Sequence, residues 1–80
     1  MNLHQRIDEL QLTAVETAAV KWQYSLYGSF YTSLFNAIML ADELNLERLA
    51  KAFPTEVEAY KRYSREENWW VELQDKFLNS

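Results

Sequence analysis

Gly28 and Pro54 are the only glycine and the only proline in 80 residues, so the chain has few residues that favour tight reversals. It also lacks a run of alternating β-branched residues, and the strand period is missing. The chain therefore reads as all-α, a single helical domain over residues 1–80. Leu3, Ile7, Leu10 and Ala14 follow one another at steps of four and three, and a second stripe, Leu12, Val15, Ala19, Trp22 and Leu26, takes over from them. This spacing predicts one long helix from Asn2, a good N-cap, into the twenties, with its halves facing different neighbours or meeting at a bend. Gly28 is its expected stop, in the left-handed conformation of a C-cap.

Ser29 is the expected cap of the next helix, running to about Ala41 or Asp42. Asn45 is placed to cap a short helix from Leu46 to about Phe53, supported by Glu47 and Lys51 four residues apart. Pro54 ends it, since proline has no amide hydrogen and disfavours helical backbone in the residue before it. Thr55-Glu56-Val57-Glu58 and Ser64-Arg65-Glu66-Glu67 both have the pattern of a capping box. They predict either two helices with a corner at Ser64 or one helix from Glu56 to about Leu78. Glu58 with Arg62 and Glu72 with Lys76 form favourable pairs in both cases. The expected architecture is a compact bundle of four or five helices.

The 20 positions from Trp22 to Ala41 carry no Lys, Arg, Asp or Glu. Wound as a helix, Phe30, Tyr31, Leu34, Phe35, Ala37, Ile38, Met39 and Ala41 cover more than half the circumference. Ser29, Thr32, Ser33 and Asn36 gather in the remaining arc with Leu40. The Ser29–Asp42 helix is thus expected at the centre of the bundle, with a narrow seam of small uncharged polar residues. Such a seam lets a second helix approach closely, which marks Ser29, Thr32, Ser33 and Asn36 as candidate contacts with a partner or a second copy. Seven of the 20 positions are polar or glycine, too many for a transmembrane segment. An interfacial helix would place Lys or Arg beside the apolar face, and the stretch has none.

A chain of this size buries only about 60 to 65% of the surface its unfolded form exposes. The 15% aromatic content compensates, because each large ring removes roughly 150 to 250 Å² from water. The absence of Cys rules out disulfides and thiolate metal sites and is compatible with a reducing cytoplasm. Small aromatic chains gain further buried area by oligomerising, so a homo-oligomer is expected.

The net charge of -4 argues against general nucleic-acid binding, which depends on Lys and Arg displacing counterions from phosphates. The acids alternate with basic residues and form no dense DNA-like face. Met1 to Arg6 lead directly into Asp8 and Glu9 without the apolar run of a signal peptide.

His4, the single histidine, lies near a terminus, where a protected acid or base has no place. The paired acids Asp8-Glu9, Asp42-Glu43 and Glu66-Glu67 point about 100° apart on a helix and do not chelate as neighbours. No Gly-rich phosphate loop and no Glu-x-x-His pair is present. Catalytic residues, a metal and a cofactor are therefore not expected. Lys61, Arg62 and Arg65, interleaved with Tyr60, Tyr63 and Trp69, form one basic and aromatic cluster that could hold a phosphate or nucleotide. The structural reading of the same residues is a solvated helix face with Glu58 or Glu66 as partners. Trp70 shares a stripe with Leu73 and Phe77, which leaves Trp69 as the outward indole and a candidate interface anchor.

The segments FYTSLFNAIMLAD, NLERLAKAFP and EVEAYKRY, in this order and spacing, resemble a group of small helical proteins of bacteriophages, prophages and related mobile elements. The resemblance covers Phe30 to Tyr63. Ala52 stands where the group more often carries Gly before Phe-Pro. Leu34, Phe35, Leu49, Phe53 and Val57 are the core-type residues that such a group would share, and none of the matching residues is catalytic in type. The resemblance implies a shared architecture more than any activity; the function expected of a small acidic helical protein of phage or prophage origin is non-enzymatic binding and modulation of a host protein, including a component of host defence. Sequestration of a small ligand or nucleotide by an oligomer, and a role in virion assembly, are the alternatives.

Overall fold

The computed structural model describes residues 2–79. It contains six helices and, among the described residues, no strand: α1 (Leu3–Leu10), α2 (Ala14–Gln23), α3 (Ser29–Leu40), α4 (Glu43–Ala52), α5 (Pro54–Arg65) and α6 (Trp69–Leu78). The all-α expectation holds, with more and shorter helices than the four or five expected.

The long first helix is in fact two. Gln11 enters the left-handed region at φ 52° and ends α1, and Thr13 caps α2. The Thr13 hydroxyl accepts from the Glu16 amide at 3.1 Å, and the Glu16 carboxylate accepts from the Thr13 amide at 2.9 Å. This capping box satisfies two amides that the first turn leaves without partners. The break lets the two apolar stripes face different directions without bending a single rod.

Gly28 is not the left-handed stop of α2. It has φ -70° and ψ 178° and sits at the N-cap of α3, so Ser29 is the first helical residue and not the cap. The stop is Ser25, at φ 55°. The Ser25 amide donates to the Trp22 carbonyl at 3.2 Å, and the Leu26 amide to the Lys21 carbonyl at 2.8 Å. This is the hydrogen-bond pattern of a Schellman motif with Ser25 in the position glycine usually takes.

Two further boundaries move for similar reasons. Asp42, not Asn45, caps α4, its carboxylate accepting from the Asn45 amide at 2.8 Å. Pro54 both ends α4 and starts α5, where its missing amide hydrogen costs nothing in the first turn. This leaves Thr55 inside α5 without a cap to make. Ser64 lies in the last turn of the same helix and donates to the Tyr60 carbonyl at 2.8 Å. The chain does form two helices here, with the corner at residues 66–68 and not at Ser64.

The centre of the fold is α5, which packs against α2, α3, α4 and α6. The most extensive contact is with α2, where Ala18 and Ala19 on one helix and Ala59 on the other are buried. Small side chains at these positions bring the two helices close. Around them Ile7, Val20, Leu34, Phe35, Ile38, Leu46, Val57, Leu73 and Phe77 complete the core. Aromatic rings thread the whole domain, from Phe53 through Phe30, Tyr31, Tyr27, Phe35, Trp22, Tyr63, Trp70 and Tyr24 to Phe77, with no step longer than 6.2 Å between centroids. At one end α1 packs on α6, and the Arg6 guanidinium donates to the Phe77 and Leu78 carbonyls at 2.8 and 3.0 Å. A cation thus meets the last carbonyls of α6, which have no helical partner.

The expected central helix, α3, is peripheral. The domain measures 39 × 27 × 17 Å, and with helix axes about 8 to 10 Å apart its thin direction holds only two layers. No third layer covers α3. Only Leu34, Phe35 and Ile38 are buried on it, and Phe30, Met39 and Leu40 are exposed.

Candidate functional site

Leu40 is 87% exposed at the end of α3, the most exposed large apolar side chain among the described residues. It stands at the corner where Ala41 turns the chain into α4 in extended conformation, at φ -72° and ψ 138°. The corner opens a shallow groove of about 480 Å³ between α3 and α4, lined by Ala37, Leu40, Ala41, Asn45, Arg48 and Leu49. Leu44, 58% exposed, extends the apolar surface onto α4.

The polar seam joins this surface. Ser29, Thr32, Ser33 and Asn36 are all exposed on α3. Because the twelve residues of α3 include no charged side chain, the whole outer side of this helix faces solvent as small hydroxyls, an amide, Ala37 and three large apolar groups. Solvated helix faces ordinarily carry charge. Arg48 is the one charged residue lining the groove, and among the described residues it has no ion-pair partner.

Of the groove-lining residues, Arg48 was not singled out from the sequence, and Ala37, Ala41, Asn45 and Leu49 were read there only as structural positions. Leu40 had a visible signal, as the one large apolar residue inside the polar arc of α3. The others depend on the α3–α4 corner, which no periodicity encodes.

The basic and aromatic cluster lies along the second half of α5 and the start of α6. Arg62 lies between Glu58 and Glu66, with its Nε 3.5 and 3.7 Å from their carboxylates. Its guanidinium also covers the Trp69 ring at 5.8 Å. Arg65 reaches across to Glu43 at 3.5 Å, and Lys61 is half-buried. Two of the three cations thus already have carboxylate partners within the chain. Trp69, like Trp70, is half-buried, packed against the core beside Arg62. Beside it a smaller hollow of about 200 Å³ is lined by Glu16, Trp69, Glu72, Leu73 and Lys76. Lys76 there pairs with Glu16 at 3.8 Å and not with Glu72, the partner its spacing suggests.

The Tyr27 phenol titrates above its ordinary range. Burial pushes it up to about 12, with the nearby Glu56 carboxylate and Tyr31 adding to the effect. Its ring stacks on Tyr31 at 4.6 Å, and the Lys21 ammonium lies 5.6 Å from its centre. This arrangement packs the α2–α3 connection and stands apart from the groove.

Among the described residues no helix is long and apolar enough to cross a membrane, and no three His, Asp or Glu side chains gather as a metal-binding group. No protein-family model matches the chain, and comparison with curated proteins and with solved structures returns no match.

Proposed function

We propose that this protein is a non-enzymatic protein-interaction module that works through the outer side of α3 and the groove between α3 and α4. The exposure of Leu40 carries this reading. A leucine left 87% in water beside an open apolar groove forgoes about 2 kcal/mol that its burial would supply, and a docked partner recovers that energy. The groove suits an amphipathic helix, which would lay apolar side chains beside Leu40 and Leu49 and a carboxylate against Arg48. In line with the resemblance to phage and prophage proteins, the partner is a host protein, met in the cytoplasm and modulated by occupation of one of its surfaces.

The test is a photo-crosslinking residue at Asn36, on the seam, compared with one at Glu67, at the α5–α6 corner. The expected result is one dominant adduct in host cells from position 36 and none from position 67. Equal, diffuse labelling from both positions overturns the reading.

A further inference from the structure

We infer that α1 is an exchangeable arm: when the bend at Gln11 straightens, α1 and α2 join as one helix, and α1 takes its place on α6 of a second copy. The occupant of that place is visible in the structure, because the exchanged contact is the one α1 makes within its own chain. None of the residues lining the groove between α3 and α4 takes part.

Residues 11–13 receive two conflicting instructions from the sequence. Leu3, Ile7, Leu10 and Ala14 run on at steps of four and three without interruption, the spacing of one continuous helix. Against it, the reciprocal hydrogen bonds of Thr13 and Glu16 make Ala14 the start of a separate helix. The break also requires Gln11 at φ 52°, a backbone conformation in which the side chain crowds the following carbonyl. No Gly or Pro stands at residues 11–13 to enforce the bend. All three can enter a helix, and doing so relieves the strain at Gln11. A short hinge under strain is the setting in which an element changes places between copies.

The contacts of α1 decide what straightening leads to. The helix packs on α6, with Ile7 buried in the core and Leu3 and Leu10 half-buried against it. The Arg6 guanidinium donates to the Phe77 and Leu78 carbonyls at 2.8 and 3.0 Å. A continuous helix from Leu3 to Gln23 is about 30 Å long, and it carries α1 along the axis of α2 and off its own α6. In a lone chain this leaves Ile7 in water and the last carbonyls of α6 without their cation. Two copies avoid both losses, each receiving from the other the same apolar side chains and the same guanidinium. Monomer and exchanged dimer thus share the α1–α6 contact and differ at the hinge.

Sedimentation velocity from about 1 to 300 µM reads the exchange through hinge variants that act in opposite directions. The expected result for the natural chain is a dimer at the upper end of the range that dissociates on dilution. Gln11→Gly removes the strain of the bend and should weaken the dimer at least about 10-fold. Gln11→Ala combined with Thr13→Ala removes the cap, favours continuous helix and should strengthen it at least about 10-fold. Each effect counts twice, since every dimer straightens two hinges. Gln11 and Thr13 are exposed, so a retained helical circular dichroism spectrum verifies the fold of both variants.

The chain contains no Cys, so His4→Cys combined with Lys21→Cys gives two unique attachment points for spin labels. An excess of unlabelled chain leaves one labelled copy in each dimer. Along a continuous helix these positions are about 26 Å apart, a distance that the bend shortens. Double electron–electron resonance should show the population at about 26 Å growing with total concentration. A monomer throughout the concentration range overturns the inference. A dimer indifferent to both hinge variants, or one whose labels keep the monomer distance, also overturns it, because association then leaves α1 on its own α6.

Discussion

Trp22 stacks face to face on Phe35, with ring centroids 4.6 Å apart and planes within 6° of parallel. The pair joins α2 to α3, and Tyr60 and Tyr63 of α5 close on the same indole at 6.3 and 5.0 Å. One side chain therefore fastens three helices. Trp22→Ala should cost about 3 kcal/mol or more, a large part of the total stability of a small domain. Trp22→Phe, which keeps a ring in the stack, should cost roughly half as much or less. Urea denaturation followed by circular dichroism measures both.

The α2 stop predicts a gain. Ser25 adopts φ 55° at the left-handed position of a Schellman motif, where a side chain is strained and glycine is not. Ser25→Gly should raise the unfolding free energy by up to about 1 kcal/mol. Gly28, at φ -70° with open space where a Cβ would lie, should accept Ser with a gain of a few tenths of a kcal/mol from the new N-cap hydroxyl. The shift of the denaturation midpoint decides each case.

These positions show how far the sequence was legible. The helical class and Asn2 as a cap follow from spacing and residue type, whereas the break between α5 and α6 was one of two alternatives that the spacing left open. The break before α2 was also written in the chain, because Thr13-Ala14-Val15-Glu16 has the same box pattern as the stretches at Thr55 and Ser64. Only the first of the three is a cap. Pro54 starts α5 one residue ahead of Thr55, and Ser64 satisfies a carbonyl within its own helix. A box pattern thus records a capacity that neighbouring residues can pre-empt.

The candidate site was legible in part for a different reason. Ser29, Thr32, Ser33 and Asn36 do share an exposed side of α3. Periodicity also made α3 apolar enough to be surrounded, but an 80-residue chain supplies too few helices to surround it. Whether an apolar face is covered depends on the number of layers, which no local pattern reports.

Removing the Arg6 side chain should loosen α6 from its far end. Its guanidinium supplies charged donors to the Phe77 and Leu78 carbonyls, and Arg6→Ala should cost about 1 to 2 kcal/mol. Amide exchange in the last turn of α6 should accelerate more than exchange in α5. Uniform acceleration in both helices would count against a local role.

Alkaline titration isolates Tyr27. Its phenol, raised from 10.0 to about 12 by burial and then by Glu56 and Tyr31, keeps its proton in the folded state where the unfolded chain has lost it. Its contribution to stability is therefore complete below pH 10 and is lost as pH rises from 10 to about 12. Phenolate absorbance should show a late step near pH 12 that is absent in Tyr27→Phe. A titration identical in both proteins would refute the assignment.

The partnership of α2 with α5 also sets an order of events during synthesis. Residues 24 to 53 separate the two helices, and at about 5 to 20 residues per second the ribosome needs roughly 2 to 6 seconds to make them. For that interval Ala18, Ala19 and Val20 have emerged ahead of the helix that shields them. The nascent chain must wait with the buried face of α2 open, and chaperones would find their binding window there.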